Sequence, residues 1–443
     1  MTSFDPPPDP RAPDRRPLAG QQPPQQANPS WMGQVRPQDY RPAPGYGTAP
    51  GGHTPAQQLP LAAGGTGHGD AHRAAYQAGY TAVPPARPSA GMTALVLGGG
   101  VLAFVSLFLV LPFVLENTGP GGFVVGFVAS LLPLGSVLLA VRFIDRWEPE
   151  PKRLLLFAFA WGALVSISVT MLIQPFFSLA AGPASGLDYR TFAVTVQAPV
   201  VEEFAKSLGL LLLLVFARKQ FDGPVDGVVF AFTIAGGFAF TENILYFGRA
   251  IAESSSPGTD LAVVFFLRGV MSPFAHAIFT GTTGLILGFA ARRWHSGLTL
   301  LAFPVGLVPA MALHSGWNSM GQDFLAQYIL VQVPIFLLAV LVVVLLRVAE
   351  RRLTRQRLQE YAAAGWFTGQ EVAMLATPAG RRSALRWARS IGRGPQMRAF
   401  LHAATRLAFI RQRILSGRDV PAHQLDEQRQ LAEIAALREA VLR

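Results

Sequence analysis

The chain has 443 residues, enough for two or three soluble domains, yet 51% are hydrophobic and only 14% charged, a balance that excludes an ordinary water-soluble protein. It has no cysteine, which removes disulfide frameworks, thiolate nucleophiles and cysteine-ligated metals together. The net charge of +11 reads as the cytoplasmic excess of Lys and Arg that membrane proteins carry, so no nucleic-acid partner is expected.

Residues 1–90 hold 18 of the 35 prolines, with many Gln, Gly and Ala and almost no Leu, Ile or Val. Such an arm buries too little to order itself and is expected to be a disordered cytoplasmic tail. It has no early apolar run of the kind a signal peptide needs. Apolar segments of about the length that crosses a ~30 Å hydrocarbon core then follow at roughly 93–115, 121–143, 154–180, 194–217, 225–248, 261–290, 298–320 and 326–347. Cations follow every second segment: Arg142, Arg146, Lys152 and Arg153; then Arg218 and Lys219; then Arg292 and Arg293; then Arg347, Arg351 and Arg352. The intervening turns carry none, or one offset by an acid, so both termini are expected on the cytoplasmic side of the cell membrane. Residues 348–443 are amphipathic and basic, with 17 Arg against 8 acids, and read as a helical cytoplasmic domain able to meet an anionic lipid surface. The expected fold is all-α: a polytopic transmembrane bundle of about eight helices over 91–347, flanked by the disordered arm and the helical tail.

Several ionisable residues fall inside these segments, where each needs a compensating reason, since a charge near the bilayer centre costs about 2.5 to 3.5 kcal/mol on insertion scales. The fourth segment carries Glu202 and Glu203 with Lys206 one helical turn later. The fifth carries Glu242, the sixth Arg268 and His276, and the seventh His314 and Asn318, which share a helix face at i and i+4. At about 1.5 Å per residue, Glu202 and Glu203 lie about 12 to 14 Å from the outer edge and Glu242 about 9 Å, with His314 similar. His276 joins this layer if the sixth helix proper starts near Arg268. Singly these side chains read as a neutralised structural pair, helix-to-helix hydrogen bonders and, in Arg268, a snorkelling interface residue or counter-ion. A shared depth on four helices reads as a site.

Peptide hydrolysis needs a water activator, a group for the oxyanion and a proton for the leaving amine. A carboxylate among apolar helices suits base and then acid work, and His and Asn suit the oxyanion. Two His and a Glu also suit a catalytic zinc, so a metal-free glutamate mechanism and a site for zinc or another divalent metal, drawn from Glu203, Glu242, His276 and His314, both stay open. No HExxH is present, and Gly67-His68-Gly69-Asp70 lies in the arm as a chance match.

EExxK at 202–206, FxxxEN at 238–243, the Phe274/His276 region and HxxxN at 314–318, in this order on successive helices, resemble the PrsW family of intramembrane proteases. The loop Asp145-Arg146-Trp147-Glu148-Pro149-Glu150-Pro151 is similar as well. The likeness covers roughly 93–347 and implies a place in the wider group of CAAX prenyl endopeptidases and bacteriocin-immunity proteins. Carried over, it implies that Glu202 or Glu203 activates water, His276 and His314 bind or polarise it, and Asn318 supports the oxyanion, with Lys206 part of the motif. Glu242 departs from the wider group, where His is frequent. The resemblance further implies a membrane-associated polypeptide substrate, such as an anti-sigma-factor-like regulator clipped on the outer side. Two other readings compete: an ion- or proton-coupled transporter using the same charges as a relay, against which no internal repeat is visible, and a catalytically inactive membrane scaffold.

Overall fold

The structure, a computed structural model, describes residues 90–294, 296–321, 323–417 and 420–442. The proline-rich arm and its Gly67–Asp70 match lie outside the described residues. Among those described there is helix and no strand.

The first helix, α1 (Ala90–Ile144), is 55 residues long, which at 1.5 Å per residue is roughly 82 Å, far beyond one bilayer crossing. Gly119 interrupts it at φ 64°, a left-handed conformation that is open to a residue without Cβ. The two arms fold back on each other. Gly91 lies beside Phe216 and Gly99 beside the Phe157 ring, while Gly122 and Gly126 reach Gly248 and Ile244, and Gly236 meets Val137. Both ends of α1 therefore lie at the same end of the bundle.

Next come α2 (Lys152–Ala181), with a wide π turn at Trp161–Ser166, and α3 (Ala198–Phe216), entered through a π turn at Ala193–Gln197. α4 (Pro224–Ala252), α5 (Pro257–Phe265), α6 (Ala275–Arg293), α7 (Ala302–Asn318) and α8 (Val333–Ala363) complete the bundle. Six helical stretches among the described residues are long and apolar enough to cross a membrane. The eight expected crossings are these six, with α1 counted twice at its fold and α3 added. α3 falls short by composition because Glu202, Glu203 and Lys206 sit within its 19 residues.

α4 is the central post. In lipid no hydrophobic drive pulls helices together, so close packing over small residues carries the association. A Cβ on Gly162 would stand 1.8 Å from the Ile234 carbonyl oxygen, and one on Gly227 2.0 Å from that of Gly284. Backbones touch at these points. Facing outward, Leu97, Phe104, Phe108, Leu139, Leu337 and Leu345 are exposed, as expected of lipid-facing side chains.

Two elements differ from their sequence reading. The sixth segment is not one helix: it breaks at Ser272–Phe274, where Pro273 cannot donate an N–H to the helix ladder, and restarts as α6. The eighth does not stop at residue 347; α8 runs on to Ala363 as one helix of 31 residues. Its far half joins α9 (Gly369–Leu375), α10 (Pro378–Ser390), α11 (Gly394–Leu415) and α12 (Val420–Leu442) around a core that includes Leu358, Leu375, Phe400, Leu407 and Ile434. This helical domain seats on the bundle's loops. Arg413 pairs with Glu148 at 2.9 Å and with Asp222, and the Arg381 guanidinium lies 3.9 Å above the Trp147 ring.

Candidate active site

Local geometry delivers the polar side chains to one buried point. On α3, Glu203 and Lys206 are three residues apart and meet at 2.5 Å between Oε1 and Nζ. Both are fully buried. α3 is held in place from α2: the Trp161 indole N–H and the Ser166 hydroxyl both donate to the Ala205 carbonyl. α2 in turn fixes α4, because Thr241 Oγ1 donates to the Ala163 carbonyl at 2.7 Å, within the π turn. The break at Pro273 puts His276 in the first turn of α6, one turn before Thr280.

Around Glu203 every acceptor is used. Oε1 takes Lys206 Nζ and His314 Nδ1, the latter at 3.0 Å, and Oε2 takes the Thr280 hydroxyl at 2.8 Å. Around His276, Nε2 lies 2.8 Å from Glu242 Oε2 and Nδ1 lies 3.2 Å from Lys206 Nζ. Glu242 also pairs with Arg268, which extends its Nε to Asn243 at 2.8 Å and stacks 3.9 Å from the Tyr246 ring. The Lys206 ammonium sits 4.3 Å from the Phe238 ring centroid, and Phe279 stacks on His314.

Glu202 behaves differently. Its Oε2 is buried with no hydrogen-bond partner, 3.9 Å from His314 Nε2 and 4.0 Å from Lys206 Nζ. A buried carboxylate oxygen left unpaired is costly. It marks a place where a proton, a water or a cation belongs.

Glu202, Glu203, Lys206, Glu242, His276 and His314, all expected on sequence grounds, thus meet in one cluster. Asn318 does not join it: its side-chain amide donates to the Val194 carbonyl at 2.9 Å, near the exposed rim, and so ties α7 to the turn before α3. Thr280, Asn243 and Arg268 are further partners. Arg268 is a counter-ion rather than a snorkelling residue, since its guanidinium turns inward to Glu242 and Asn243. Thr280 carries a signal in its i+4 spacing from His276, which places both on one face of α6.

The donor set fits a metal. Glu202, His276 and His314 each offer one ligand atom within 4.8 Å of one another. Two His and one Glu form a common set for a catalytic zinc with an open position. Each imidazole is backed by a carboxylate on its other nitrogen, Glu203 behind His314 and Glu242 behind His276, as in carboxylate–histidine–metal triads. The metal candidates therefore shift: Glu203 and Glu242 stand behind the imidazoles, and Glu202 stands among the donors. A small cavity lined by Ala239, Asn243, Arg268, Pro273, His276 and Trp317 leads to the His276 side.

Residues 150–346 match the model of the PrsW family of intramembrane metalloproteases. Among curated relatives, "Protease PrsW" of Geobacillus kaustophilus is 29% identical over 166 residues, 36% of this chain and 65% of that protein. "Protease PrsW" of Oceanobacillus iheyensis is 26% identical over 212 residues, 47% of this chain and 88% of that protein. "Protease PrsW" of Clostridioides difficile is 31% identical over 160 residues, 36% of this chain and 63% of that protein. The chain thus spans just under two thirds of two of these relatives and most of the third. No solved structure matches. Through the membrane-embedded helices that hold the Glu/His cluster, residues 150–346, just under half of the chain, are similar to the PrsW family of intramembrane metalloproteases.

Proposed function

We propose that this protein is an intramembrane endopeptidase that hydrolyses a peptide bond of a membrane-associated polypeptide at the Glu202/His276/His314 cluster. The observation that carries this reading is the pairing of each imidazole with a carboxylate behind it, Glu203 for His314 and Glu242 for His276, which leaves donor atoms and the unpartnered Glu202 Oε2 facing one buried point.

Glu202, His276 and His314 would hold a divalent metal such as zinc, which supplies Lewis-acid polarisation of a peptide carbonyl and acidifies water. Glu203, with all its acceptors used, fixes His314 with its Nδ1 proton toward the carboxylate and its Nε2 lone pair toward Glu202. Glu242 does the same for His276 through Nε2. Glu202 keeps an oxygen for the proton of the attacking water and returns that proton to the leaving nitrogen. Lys206 and Arg268 offset the three carboxylates and leave one negative charge in excess, which keeps the cluster compatible with an apolar surround. Enclosure among helices excludes bulk water, and the small cavity beside Trp317 gives single waters a way to the His276 side.

A metal-free reading is favoured by one observation. The Lys206 ammonium stands beside the same donors, 3.2 Å from His276 Nδ1 and 4.0 Å from Glu202 Oε2, and is itself a cation for the site. Metal analysis of the purified protein with and without chelator separates the two.

The substrate is proposed to be a single-span, anti-sigma-factor-like regulator, cleaved near the outer face of the cell membrane. Both termini are cytoplasmic on this reading, because Lys and Arg gather at the end of the bundle where α1 begins and α8 leaves. The test is cleavage of a membrane-tethered reporter by wild type, Glu202→Gln and His314→Ala, all checked for insertion. Loss in both variants is expected. Retained cleavage in both sinks the reading, and solute uptake into liposomes without proteolysis replaces it with a transporter.

A further inference from the structure

Along α8 and the domain it enters, some arginines are paired and others stand open. Arg347, Arg357, Arg411, Arg413 and Arg438 each pair with a carboxylate, Glu350, Glu360, Glu360, Glu148 and Glu371 respectively, within 4.0 Å. Arg351, Arg352 and Arg355 are exposed, and among the described residues none of them has a carboxylate within salt-bridge distance. These three and Val348 line a shallow groove on α8.

Their position along α8 gives the groove a meaning. Leu341, Val344, Leu345 and Val348 are exposed on the same helix, at spacings of three and four residues, and continue directly into Arg351, Arg352 and Arg355. The arginines stand about 4 to 11 Å beyond Val348 at 1.5 Å per residue. The headgroup layer on each side of a ~30 Å core is of similar depth, since the whole bilayer measures about 40 to 45 Å. A lipid-facing apolar stripe thus runs into three unpaired guanidinium groups at headgroup level. Guanidinium is a planar fork that takes phosphate oxygens in pairs.

We propose that Val348, Arg351, Arg352 and Arg355 form a discrete site for one anionic phospholipid, the phosphate held by the arginines and an acyl chain lying along Leu341, Val344 and Leu345. Continuity of the apolar stripe with the arginines favours a lipid over a free anion, because only a lipid uses both parts. The proposal needs the membrane-spanning reading but not the peptidase one. It narrows the expected contact between the basic tail and an anionic surface from 17 arginines to three.

The experiment uses the full chain purified in a zwitterionic detergent and native mass spectrometry with added phosphatidylglycerol, phosphatidylcholine or inorganic phosphate. Expected is a single phosphatidylglycerol adduct that survives detergent removal, with phosphatidylcholine and inorganic phosphate retained far less. The triple variant Arg351→Gln/Arg352→Gln/Arg355→Gln should lose the adduct, about fivefold in affinity for each arginine, the factor equivalent to ~1 kcal/mol per basic residue near an anionic surface. A charge-matched control, Arg386→Gln/Arg389→Gln/Arg398→Gln, alters other exposed arginines and should keep it. Equal loss in both triples overturns the discrete site in favour of diffuse electrostatics, and binding of inorganic phosphate as tight as phosphatidylglycerol overturns the lipid assignment. Circular dichroism and a melting curve on each triple confirm that a lost adduct is not a lost fold. If the first triple fails to fold, the single variant Arg352→Gln decides: a fivefold weaker adduct supports the site, and an unchanged one overturns it.

Discussion

Replacing the paired glutamates one at a time separates the roles assigned to them. In Glu203→Gln the amide oxygen still accepts from His314 Nδ1 and its NH2 still meets the Thr280 hydroxyl, so shape and most hydrogen bonds survive. What goes is the negative charge facing Lys206 at 2.5 Å, leaving that buried ammonium with Glu202 at 4.0 Å as its remaining partner on α3. Glu203 thus acts through His314 and Lys206, and loss of such a supporting carboxylate lowers activity or metal affinity about 10- to 100-fold, equivalent to ~1.4 to 2.7 kcal/mol. Thr280→Val removes one hydrogen bond and should weaken kcat/KM by about fivefold, the factor for ~1 kcal/mol. Glu202→Gln removes the free carboxylate itself and should lower kcat/KM by about a thousandfold or more, on the scale seen when a catalytic group is lost. The assay is kcat/KM for a membrane-tethered reporter in detergent micelles, alongside metal content of each variant. If Glu203→Gln is as deep a loss as Glu202→Gln, or deeper, the division of roles is refuted.

Gly284→Leu places a branched side chain where even a Cβ would stand 2.2 Å from the Gly227 carbonyl oxygen; α4 and α6 must separate, at a cost of about 1 to 3 kcal/mol or more, visible as a lowered melting temperature together with lost cleavage. Arg413→Met leaves Glu148 and Asp222 facing each other without their shared cation, and should loosen the C-terminal domain by about 3 kcal/mol; limited proteolysis of the α8–α9 region reads it, and resistance equal to wild type contradicts it. Burial raises the Asp145 carboxyl from its ordinary 3.8 to about 7, while it accepts the Glu150 N–H. The folded form therefore holds a proton that the unfolded form releases. Stability from this group is complete below about pH 4 and is lost as pH rises through about 7. Hydrogen exchange at the Glu150 amide should quicken from pH 6 to 8 beyond the intrinsic rate, and Asp145→Asn should abolish the excess.

Much of this molecule was legible in its sequence for physical reasons. Lipid imposes a length and an apolarity on every crossing, so the runs from 93 to 347 announced themselves, and charges in such runs are rare enough that Glu202, Glu203, Glu242, His276 and His314 pointed to one site. Tertiary geometry was not legible. Which glutamate stands free depends on Thr280 and His314 arriving from other helices. Asn318 satisfied its face rule at i+4 from His314 yet turns to Val194, because α7 ends there and the carbonyl before α3 needs a donor. The break at Pro273 and the run-on of α8 are choices between equally apolar or equally helical alternatives, decided by packing against α4 and against the C-terminal core.

The run-on of α8 has a mechanical consequence. A single helix of 31 residues, roughly 46 Å at 1.5 Å per residue, is a shaft with no joint between bilayer and water. Torque applied to the C-terminal domain reaches the span as rotation, since no linker absorbs it. One residue inserted between Leu346 and Leu358 would swing the domain by about 100° relative to the span, carrying Arg413 and Arg381 away from Glu148, Asp222 and Trp147. Four residues would bring it round again to within about 40°, displaced by ~6 Å. The phase of α8 therefore sets whether the two halves of the protein can touch at all, and an insertion series through it reads that coupling as a periodic function of length.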